Sequence, residues 1–220
     1  MVSNDSNHED RALAKLSLTI QHQVGSLSLD VVIRSSAPVV AIAGPTGAGK
    51  STLLRALTGN LKVRHGQIEF DQQVWQSSRR FVPPWLRDVS WVPQDSLLMP
   101  HKRVRDNIRF GVGADAKGVD AIASELQLTE LLGRWPRHLS GGERQRVALA
   151  RGILLQRKML LLEEPFSALD EATRDVAQSV VKKWSQAAGS TVVLVSHQLP
   201  RNDSWVGEYW RLEGGRCRAV

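Results

Sequence analysis

The sequence has only one cysteine, Cys217, among its 220 residues. A single cysteine excludes an intramolecular disulfide and any metal site built from several cysteines. Long apolar runs are also missing, because the longest candidates, 37–43 and 159–162, fall far short of the roughly 20 residues that span a bilayer. The start of the chain has neither a basic segment nor an apolar core, so no secretory signal is predicted. We therefore expect a cytosolic protein whose role at any membrane is peripheral.

Acidic residues are outnumbered, with 22 Asp and Glu against 29 Lys and Arg, which gives a formal net charge of +7. A basic surface attracts nucleic acids, acidic lipids, nucleotides and acidic proteins alike, so the charge selects none of them. The polar, acid-containing segment 1–11 is predicted to be a flexible tail. Residues 12–220 are then predicted to form a single domain.

The hydrophobic pattern predicts strands and one buried strand-to-helix connection in the first part of the chain. Apolar and polar residues alternate at period two over 16–20 and 27–31, with Gly25 in the turn between them, as in an antiparallel pair. Residues 38–43 are apolar throughout, as in a strand buried on both faces, and they lead into a helical pattern at 50–59.

Further along, the pattern is helical over 101–156, and strand patterns return at 158–162 and 191–195 around a helix at 171–188. Strands that alternate with helices are typical of a parallel sheet. The sequence thus predicts an α/β fold with a parallel sheet core, an antiparallel β subdomain and an inserted α-helical subdomain at about 97–156.

A glycine-rich segment between the buried strand and the helix matches the phosphate-loop pattern G-x-x-x-x-G-K-[ST] at every fixed position. In such a loop the backbone N–H groups face phosphates, the lysine reaches the β and γ phosphates, and the serine hydroxyl ligates Mg²⁺. The alternative is a chance glycine-rich turn, which the strand and helix context disfavours. The predicted nucleotide-binding residues are Gly44, Pro45, Thr46, Gly47, Ala48, Gly49, Lys50, Ser51 and Thr52.

An apolar strand at 159–162 ends in two adjacent carboxylates, Glu163 and Glu164. A carboxylate at a strand end can hold Mg²⁺, and the next can polarise an attacking water. By themselves the two glutamates are as readily explained as surface residues that close a core strand. In the same chain as the phosphate loop, the catalytic interpretation is favoured.

Residues 139–146 read Leu-Ser-Gly-Gly-Glu-Arg-Gln-Arg, and this segment resembles the signature motif of the ATP-binding cassette (ABC) ATPases. The resemblance continues, in the family's order, with Gln94 as the Q-loop, 167–170 as the D-loop and His197 as the switch histidine, and it covers 12–215. It implies a P-loop NTPase of RecA-like fold that binds and hydrolyses ATP with Mg²⁺.

The resemblance also implies a dimer, most simply a homodimer, in which each ATP lies between the phosphate loop of one subunit and the signature helix of the other. A helix N-terminus attracts anions, and one rigid chain cannot close two such ends around one phosphate. The signature residues that would act on the partner's ATP are Ser140, Gly141, Gly142, Glu143 and Gln145.

Residue roles follow from the resemblance by position. Glu164 would be the general base for the attacking water, His197 would hold the γ-phosphate and water in line, and Asp170 would bridge to the opposite subunit. Gln94 would sense Mg²⁺ and water. The metal ligands implied are Ser51, Gln94 and Glu163.

Two positions depart from the family pattern. Family members usually carry Asp where this chain has Glu163, which predicts slower turnover that needs more Mg²⁺. The aromatic residue that commonly stacks on adenine is missing, because 12–43 contains no Phe, Tyr or Trp. His22 is a possible substitute, although a surface histidine is the simpler interpretation, and weak base recognition puts strict selectivity for ATP over GTP in doubt.

The segment 94–111 resembles the permease-docking region of bacterial importer ATPases, and Met99, Pro100 and Phe110 are the candidate contacts. The resemblance is greatest to ATPases of molybdate and related oxyanion importers, and the C-terminal regulatory domain that many of them have is not expected here. It implies separate transmembrane permease subunits, an indirect link to a substrate-binding protein, no nucleic-acid partner, and a location at the cytoplasmic side of the inner membrane. The alternatives are a soluble ABC ATPase acting on nucleic acid or ribosomes and, less credibly, a P-loop kinase.

Overall fold

A computed structural model describes residues 14–112, 117–197 and 205–220, and these form two compact units. The first unit contains the described residues up to Asp88 and those from Val195 onward, and the second contains those from Val89 to Leu194. The tail predicted at 1–11 lies outside the described residues. The second unit is larger than the helical subdomain predicted at about 97–156, because strands on either side of the helices pack with them. The prediction of one domain over 12–220 stays a prediction.

Strands and helices alternate along most of the described chain. In chain order they are β1 (Leu16–Val24), β2 (Leu27–Ser35), β3 (Val39–Ala43), α1 (Lys50–Thr58), β4 (His65–Phe70), β5 (Gln73–Gln76), β6 (Val89–Val92), α2 (Val104–Ile108), α3 (Lys117–Glu125), α4 (Gly141–Leu154), β7 (Met159–Glu163), α5 (Glu171–Ala188), β8 (Thr191–Ser196), β9 (Glu208–Glu213) and β10 (Arg216–Ala219). Three short 3-10 turns lie at Pro84–Leu86, Thr129–Leu131 and Pro136–His138.

The predicted antiparallel pair near the start of the chain is present as β1 and β2, in which Leu18 pairs with Ile33 and Ile20 pairs with Val31. These four side chains are buried while their neighbours alternate outward, as period-two patterning requires. In the first unit, neighbouring strands follow the order β5, β4, β1, β2, β10, β9, β3.

Every residue of β3 is buried, as its apolar run predicts. β3 pairs in parallel with β9, with Ile42 opposite Trp210. Because β3 is buried and paired with β9, the position of its end at Ala43 is fixed. The glycine-rich loop begins there, at Gly44, and leads into α1.

In the second unit the strand order is β8, β7, β6, and β6 and β7 pair in parallel with Trp91 opposite Leu161. Strand β7 is buried at every position. Helix α4 packs closely on this sheet, since the Ser90 hydroxyl donates to the Gly152 carbonyl at 2.9 Å. A Cβ at Gly152 would lie 2.4 Å from a Val92 methyl group, so a larger residue there would push the helix away.

Candidate functional site

The glycine-rich loop after β3 is shaped by two glycines for different reasons. A Cβ at Gly44 would lie 2.0 Å from the Leu212 carbonyl oxygen, so only glycine allows the loop to start this close to β9. Gly49 has φ +102°, a left-handed conformation that side chains rarely adopt. The loop is further closed by two backbone bonds, from Gly44 N to the Ser196 carbonyl at 3.2 Å and from Ala48 N to the Pro45 carbonyl at 3.2 Å.

Lys50 is the first residue of α1, and its side chain curls back under the loop. Its ammonium donates to the Gly44 carbonyl at 2.6 Å and to the Pro45 carbonyl at 2.9 Å. The residue is only 8% exposed. A lysine is rarely this buried unless its charge has a purpose or a partner. Here the loop carbonyls hold the positive charge in place beneath the loop.

His197 follows directly after β8, and its Nδ1 lies 3.5 Å from the Lys50 Nζ. An ammonium only donates hydrogen bonds, so Nδ1 is the acceptor in this contact. In the neutral imidazole the proton is then on Nε2. The ring is exposed, so this N–H can reach a group bound at the loop. The structure thus places the predicted switch histidine beside the predicted phosphate-binding lysine.

The N-terminus of α1 is open to an anion. Its N-cap, Gly49, has no side chain that could cap it, and its first turn contains no acidic residue. The first N–H groups of a helix lack partners within the helix, and they carry about half a positive charge in total. Ser51, in this first turn, is exposed. The backbone N–H groups of the loop, the Lys50 ammonium and the Ser51 hydroxyl are therefore all found at the start of α1.

Two leucines of β2 contact the loop, and the sequence pattern gave no sign of this. A Cβ on Gly49 would lie 2.4 Å from a Leu29 methyl group and 3.2 Å from a Leu27 methyl group. His22, the possible substitute for the missing aromatic residue, instead accepts a hydrogen bond from the Arg64 backbone N–H at 3.2 Å. The side chains next to the loop in β2 are thus the aliphatic Leu27 and Leu29, and neither of them is aromatic.

In the second unit, the two glutamates lie where β7 ends. Glu163 is the last residue of the strand, and Glu164 is only 6% exposed. Glu164 has φ +47°, a conformation that costs a side-chain-bearing residue about 1–2 kcal/mol. Its carbonyl accepts bonds from the Ser167 hydroxyl at 3.0 Å and the Ser167 N–H at 3.3 Å, which hold this turn. Strain of this kind is concentrated at functional positions.

The predicted signature helix is α4, and Ser140 is its N-cap. The Ser140 hydroxyl accepts from Glu143 N at 3.2 Å, and the Glu143 carboxylate accepts from Ser140 N at 2.6 Å. This bond from the Ser140 backbone is the main reason that the pKa of Glu143 is lowered. Ser140 and Glu143 therefore cap the helix, which leaves the exposed Gly141 as its open position, with nothing within 4 Å of an added Cβ.

Gln145, predicted to act on a partner's ATP, is buried within the second unit, where its side-chain oxygen accepts from the Ser96 hydroxyl at 3.0 Å. Arg151, one helical turn and a half further along α4, donates to the carbonyls of Ser96 and Leu97 at 2.9 and 3.0 Å. Both acceptor residues have positive φ. Helix α4 thus fixes the strained segment that follows the exposed Gln94.

Asp170, predicted to bridge to another subunit, is the N-cap of α5. Its carboxylate accepts from Thr173 N at 2.9 Å and from the Thr173 hydroxyl at 2.8 Å. The backbone bond is the largest cause of a lowered pKa of Asp170. The side chain is fully exposed, so the same carboxylate also faces solvent.

The family model described as ABC transporter matches residues 29–167, a segment that contains the phosphate loop, the signature helix and the carboxylates after β7. The chain belongs to the ABC transporter family. The family match confirms the resemblance drawn from the signature motif.

Relatives of this cassette include import proteins. It is 38% identical over 220 residues to the molybdenum import ATP-binding protein ModC of Rhodopseudomonas palustris (strain HaA2), covering 96% of this chain and 58% of that protein. It is 40% identical over 202 residues to the Fe(3+) ions import ATP-binding protein FbpC of Mesorhizobium japonicum, covering 90% of this chain and 55% of that protein. The cassette thus spans little more than half the length of these curated relatives.

A solved structure confirms the α/β P-loop fold. It is a dimeric post-hydrolysis state of the ATP-binding cassette MJ0796 bound to ADP and Pi, with a TM-score of 0.79 and 24% sequence identity. The alignment covers 93% of this chain and 97% of that one. Within the described part of the present cassette, no helix is long and apolar enough to cross a membrane.

Two supporting residues of the cassette had no signal in the sequence. The buried Arg87 donates to the carbonyls of Ala56 and Leu57 at 2.6 and 2.8 Å, at the C-terminal end of α1. In the second unit, Asn107 is fully buried and bonds Met99 N, the Met99 carbonyl and the Lys102 carbonyl at 2.8, 3.1 and 3.0 Å. Arg87 fixes the far end of the phosphate-loop helix, and Asn107 fixes the loop that presents Met99 and Pro100.

Proposed function

We propose that this cassette is the ATP-hydrolysing subunit of an ABC importer. The observation that carries the proposal is the glycine-rich loop around Lys50, with the ammonium held by two loop carbonyls and His197 beside it. A triphosphate is the ligand that such a loop, charge and helix end fit best. The names of its import relatives support transport as the use of the hydrolysis.

In this mechanism Lys50 leaves the loop carbonyls to bind phosphate oxygens, while the loop N–H groups hold the same phosphates. His197 donates from Nε2 to the γ-phosphate and keeps the attacking water in line. Glu164 accepts the proton of that water as general base, a role that suits a carboxylate on a backbone turn fixed by Ser167.

The residues assigned to Mg²⁺ have the right chemistry for it. Ser51, Gln94 and Glu163 offer a hydroxyl, an amide oxygen and a carboxylate, which are the hard oxygen donors that Mg²⁺ prefers. Few protein ligands also suit an ion that keeps several waters and binds substrate phosphates. When bound, Mg²⁺ neutralises the charge that develops on the phosphates.

Glu163→Asp tests the first departure from the family pattern. Since the extra methylene of Glu163 alters the carboxylate's reach, we expect the aspartate variant to hydrolyse ATP severalfold faster and to reach half its maximal rate at a severalfold lower Mg²⁺ concentration. Phosphate release measured over a Mg²⁺ titration gives both values. If rate and Mg²⁺ dependence are both unchanged, Glu163 does not limit turnover.

We infer that the active species is a dimer, with Gly141 and Gly142 of one subunit facing the ATP of the other. The open position at Gly141 supports this, because a capped helix end with one uncovered glycine suits a phosphate that approaches from outside the chain. For Gln145 we propose a different role from the one its motif position predicts: it stabilises the segment after Gln94.

Permease subunits are the proposed membrane partner, and a substrate-binding protein is the indirect one. The docking surface would be the exposed apolar residues Leu97, Pro100 and Phe110 of the second unit with the half-buried Met99, and Phe110 is 54% exposed. Their loop is fixed by Arg151 and Asn107. The cassette would lie at the cytoplasmic side of the inner membrane, and molybdate or a related oxyanion is the proposed solute.

Membrane co-purification tests the importer proposal against a soluble ABC ATPase acting on nucleic acid or ribosomes. We expect the tagged cassette, extracted in detergent, to retain a hydrophobic permease, and Phe110→Ala to lower that recovery severalfold because an apolar contact is lost. Val32→Ala, an exposed change in the first unit, is the control. Retention of ribosomes, or DNA binding that salt abolishes, would instead favour the soluble alternative.

A further inference from the structure

A separate exposed apolar surface lies in the first unit, on the 3-10 turn Pro84–Leu86. Trp85 is 81% exposed and Leu86 is 69% exposed. Three basic residues are exposed as well, Arg79 and Arg80 shortly before the turn in the chain and Lys62 beside the Phe81 ring. We call these five residues the Trp85 surface. Burying these two large apolar side chains against a partner would remove them from water and so contribute favourable binding free energy.

The turn holds Trp85 outward on a fixed backbone. Pro83 and Pro84 restrict its φ angles, and their carbonyls accept from Leu86 N at 3.1 Å and Arg87 N at 3.2 Å. The side chain of Arg87 then anchors the turn by donating to the Val82 carbonyl at 2.8 Å in addition to the two carbonyls of α1. Because this backbone is pre-organised, Trp85 can bind a partner with little loss of conformational entropy.

The basic residues are fixed to the same structure through Phe81. The Arg87 guanidinium lies 5.4 Å from the Phe81 ring centroid, and the Lys62 ammonium lies 5.9 Å from it. Arg79 and Arg80 immediately precede Phe81, and their backbone N–H groups both donate to the Ser77 hydroxyl. The three basic side chains therefore extend from backbone that lies next to the anchored turn.

Basic residues outnumber acidic ones in the two segments that form the surface. Asp88 is the only acidic residue in 72–88, and 59–68 contains none. Tryptophan prefers the headgroup level of bilayers, and lysine and arginine are attracted to anionic lipid. We propose that the Trp85 surface binds an anionic bilayer directly, with Trp85 and Leu86 in the headgroup region and the three cations against lipid phosphates. This contact needs neither nucleotide nor permease, so it does not depend on the proposed function.

Flotation with vesicles tests the proposal on the full chain without nucleotide. We expect binding to vesicles of phosphatidylcholine with phosphatidylglycerol, weak binding to phosphatidylcholine alone, and loss of binding at high salt. Trp85→Ser with Leu86→Ser should lower the partition coefficient at least about tenfold. Arg79→Gln with Arg80→Gln should lower it roughly 25-fold, since each charge near the surface is worth about a factor of five.

Val32→Ser is the matched control, a change at an exposed apolar residue of β2 that should leave vesicle binding unchanged. If the double change at Trp85 and Leu86 impairs folding, the test rests on two other measurements. These are vesicle binding by the Arg79→Gln, Arg80→Gln variant and the salt dependence of binding by the parent chain. No binding of the parent to anionic vesicles, or equal loss with Val32→Ser, overturns the proposal. If the surface variants dissociate from native membranes and the parent does not bind protein-free vesicles, the Trp85 surface binds a membrane protein and not lipid.

Discussion

Lys50→Ala is expected to lower ATP hydrolysis by about 10²–10³-fold or more, the loss typical of removing one fixed electrostatic donor from a catalytic site. The Lys50 ammonium is the buried charge of the loop, held at 2.6 and 2.9 Å by the Gly44 and Pro45 carbonyls. Without it, the loop keeps its backbone N–H groups and the Ser51 hydroxyl but loses its positively charged side chain. Equilibrium titration with a fluorescent ATP analogue, and phosphate release, measure binding and turnover separately.

The stability of this variant must be measured beside its activity, because the buried bond from Lys50 to the Gly44 carbonyl is lost, whereas the Pro45 carbonyl keeps its bond from Ala48 N. Leaving a buried acceptor unpaired costs about 1–3 kcal/mol. Lys183→Ala is the matched control, since Lys183 lies on the surface of α5 in an exposed ion pair with Glu125 at 2.8 Å. Its turnover should equal that of the parent. A folded Lys50→Ala chain that hydrolyses ATP within about twofold of the parent would contradict the assignment of the loop.

The sequence predicted the β1–β2 pair, the buried β3 and the loop that follows it because each has a local cause. Period-two alternation, a fully apolar run and the phosphate-loop spacing are all carried by neighbouring residues. The family resemblance implied that a helix opens at Ser140, Gly141 and Gly142, and α4 begins at Gly141 with Ser140 as its N-cap.

What the sequence could not predict depends on partners distant in the chain. Arg87 reaches α1 carbonyls 30 and 31 residues away, and Arg151 reaches Leu97 and Ser96 from 54 and 55 residues away. A lone arginine has no periodicity, so its burial shows only in the folded chain. Motif position also does not show which way a helical side chain faces, and Gln145 is buried within its own unit.

Glu164→Gln is expected to bind ATP like the parent and to hydrolyse it about 10²–10⁴-fold more slowly, which is the usual contribution of a general base. The amide has almost the same shape as the carboxylate but cannot accept the proton of water. Because Glu164 already adopts φ +47°, the substitution adds no new backbone strain. Since ATP then persists, we expect the 24.4 kDa chain to accumulate at twice its mass on size exclusion when ATP is present.

Two variants separate the loss of a base from other effects of the change. Glu171→Gln removes a carboxylate from the exposed first turn of α5 and should retain parental turnover. Combining Glu164→Gln with Lys50→Ala should abolish the dimer, because the nucleotide that joins the two subunits no longer binds. Parental turnover by Glu164→Gln would assign the base elsewhere. A dimer that forms equally well without ATP would show that the subunits associate independently of nucleotide binding.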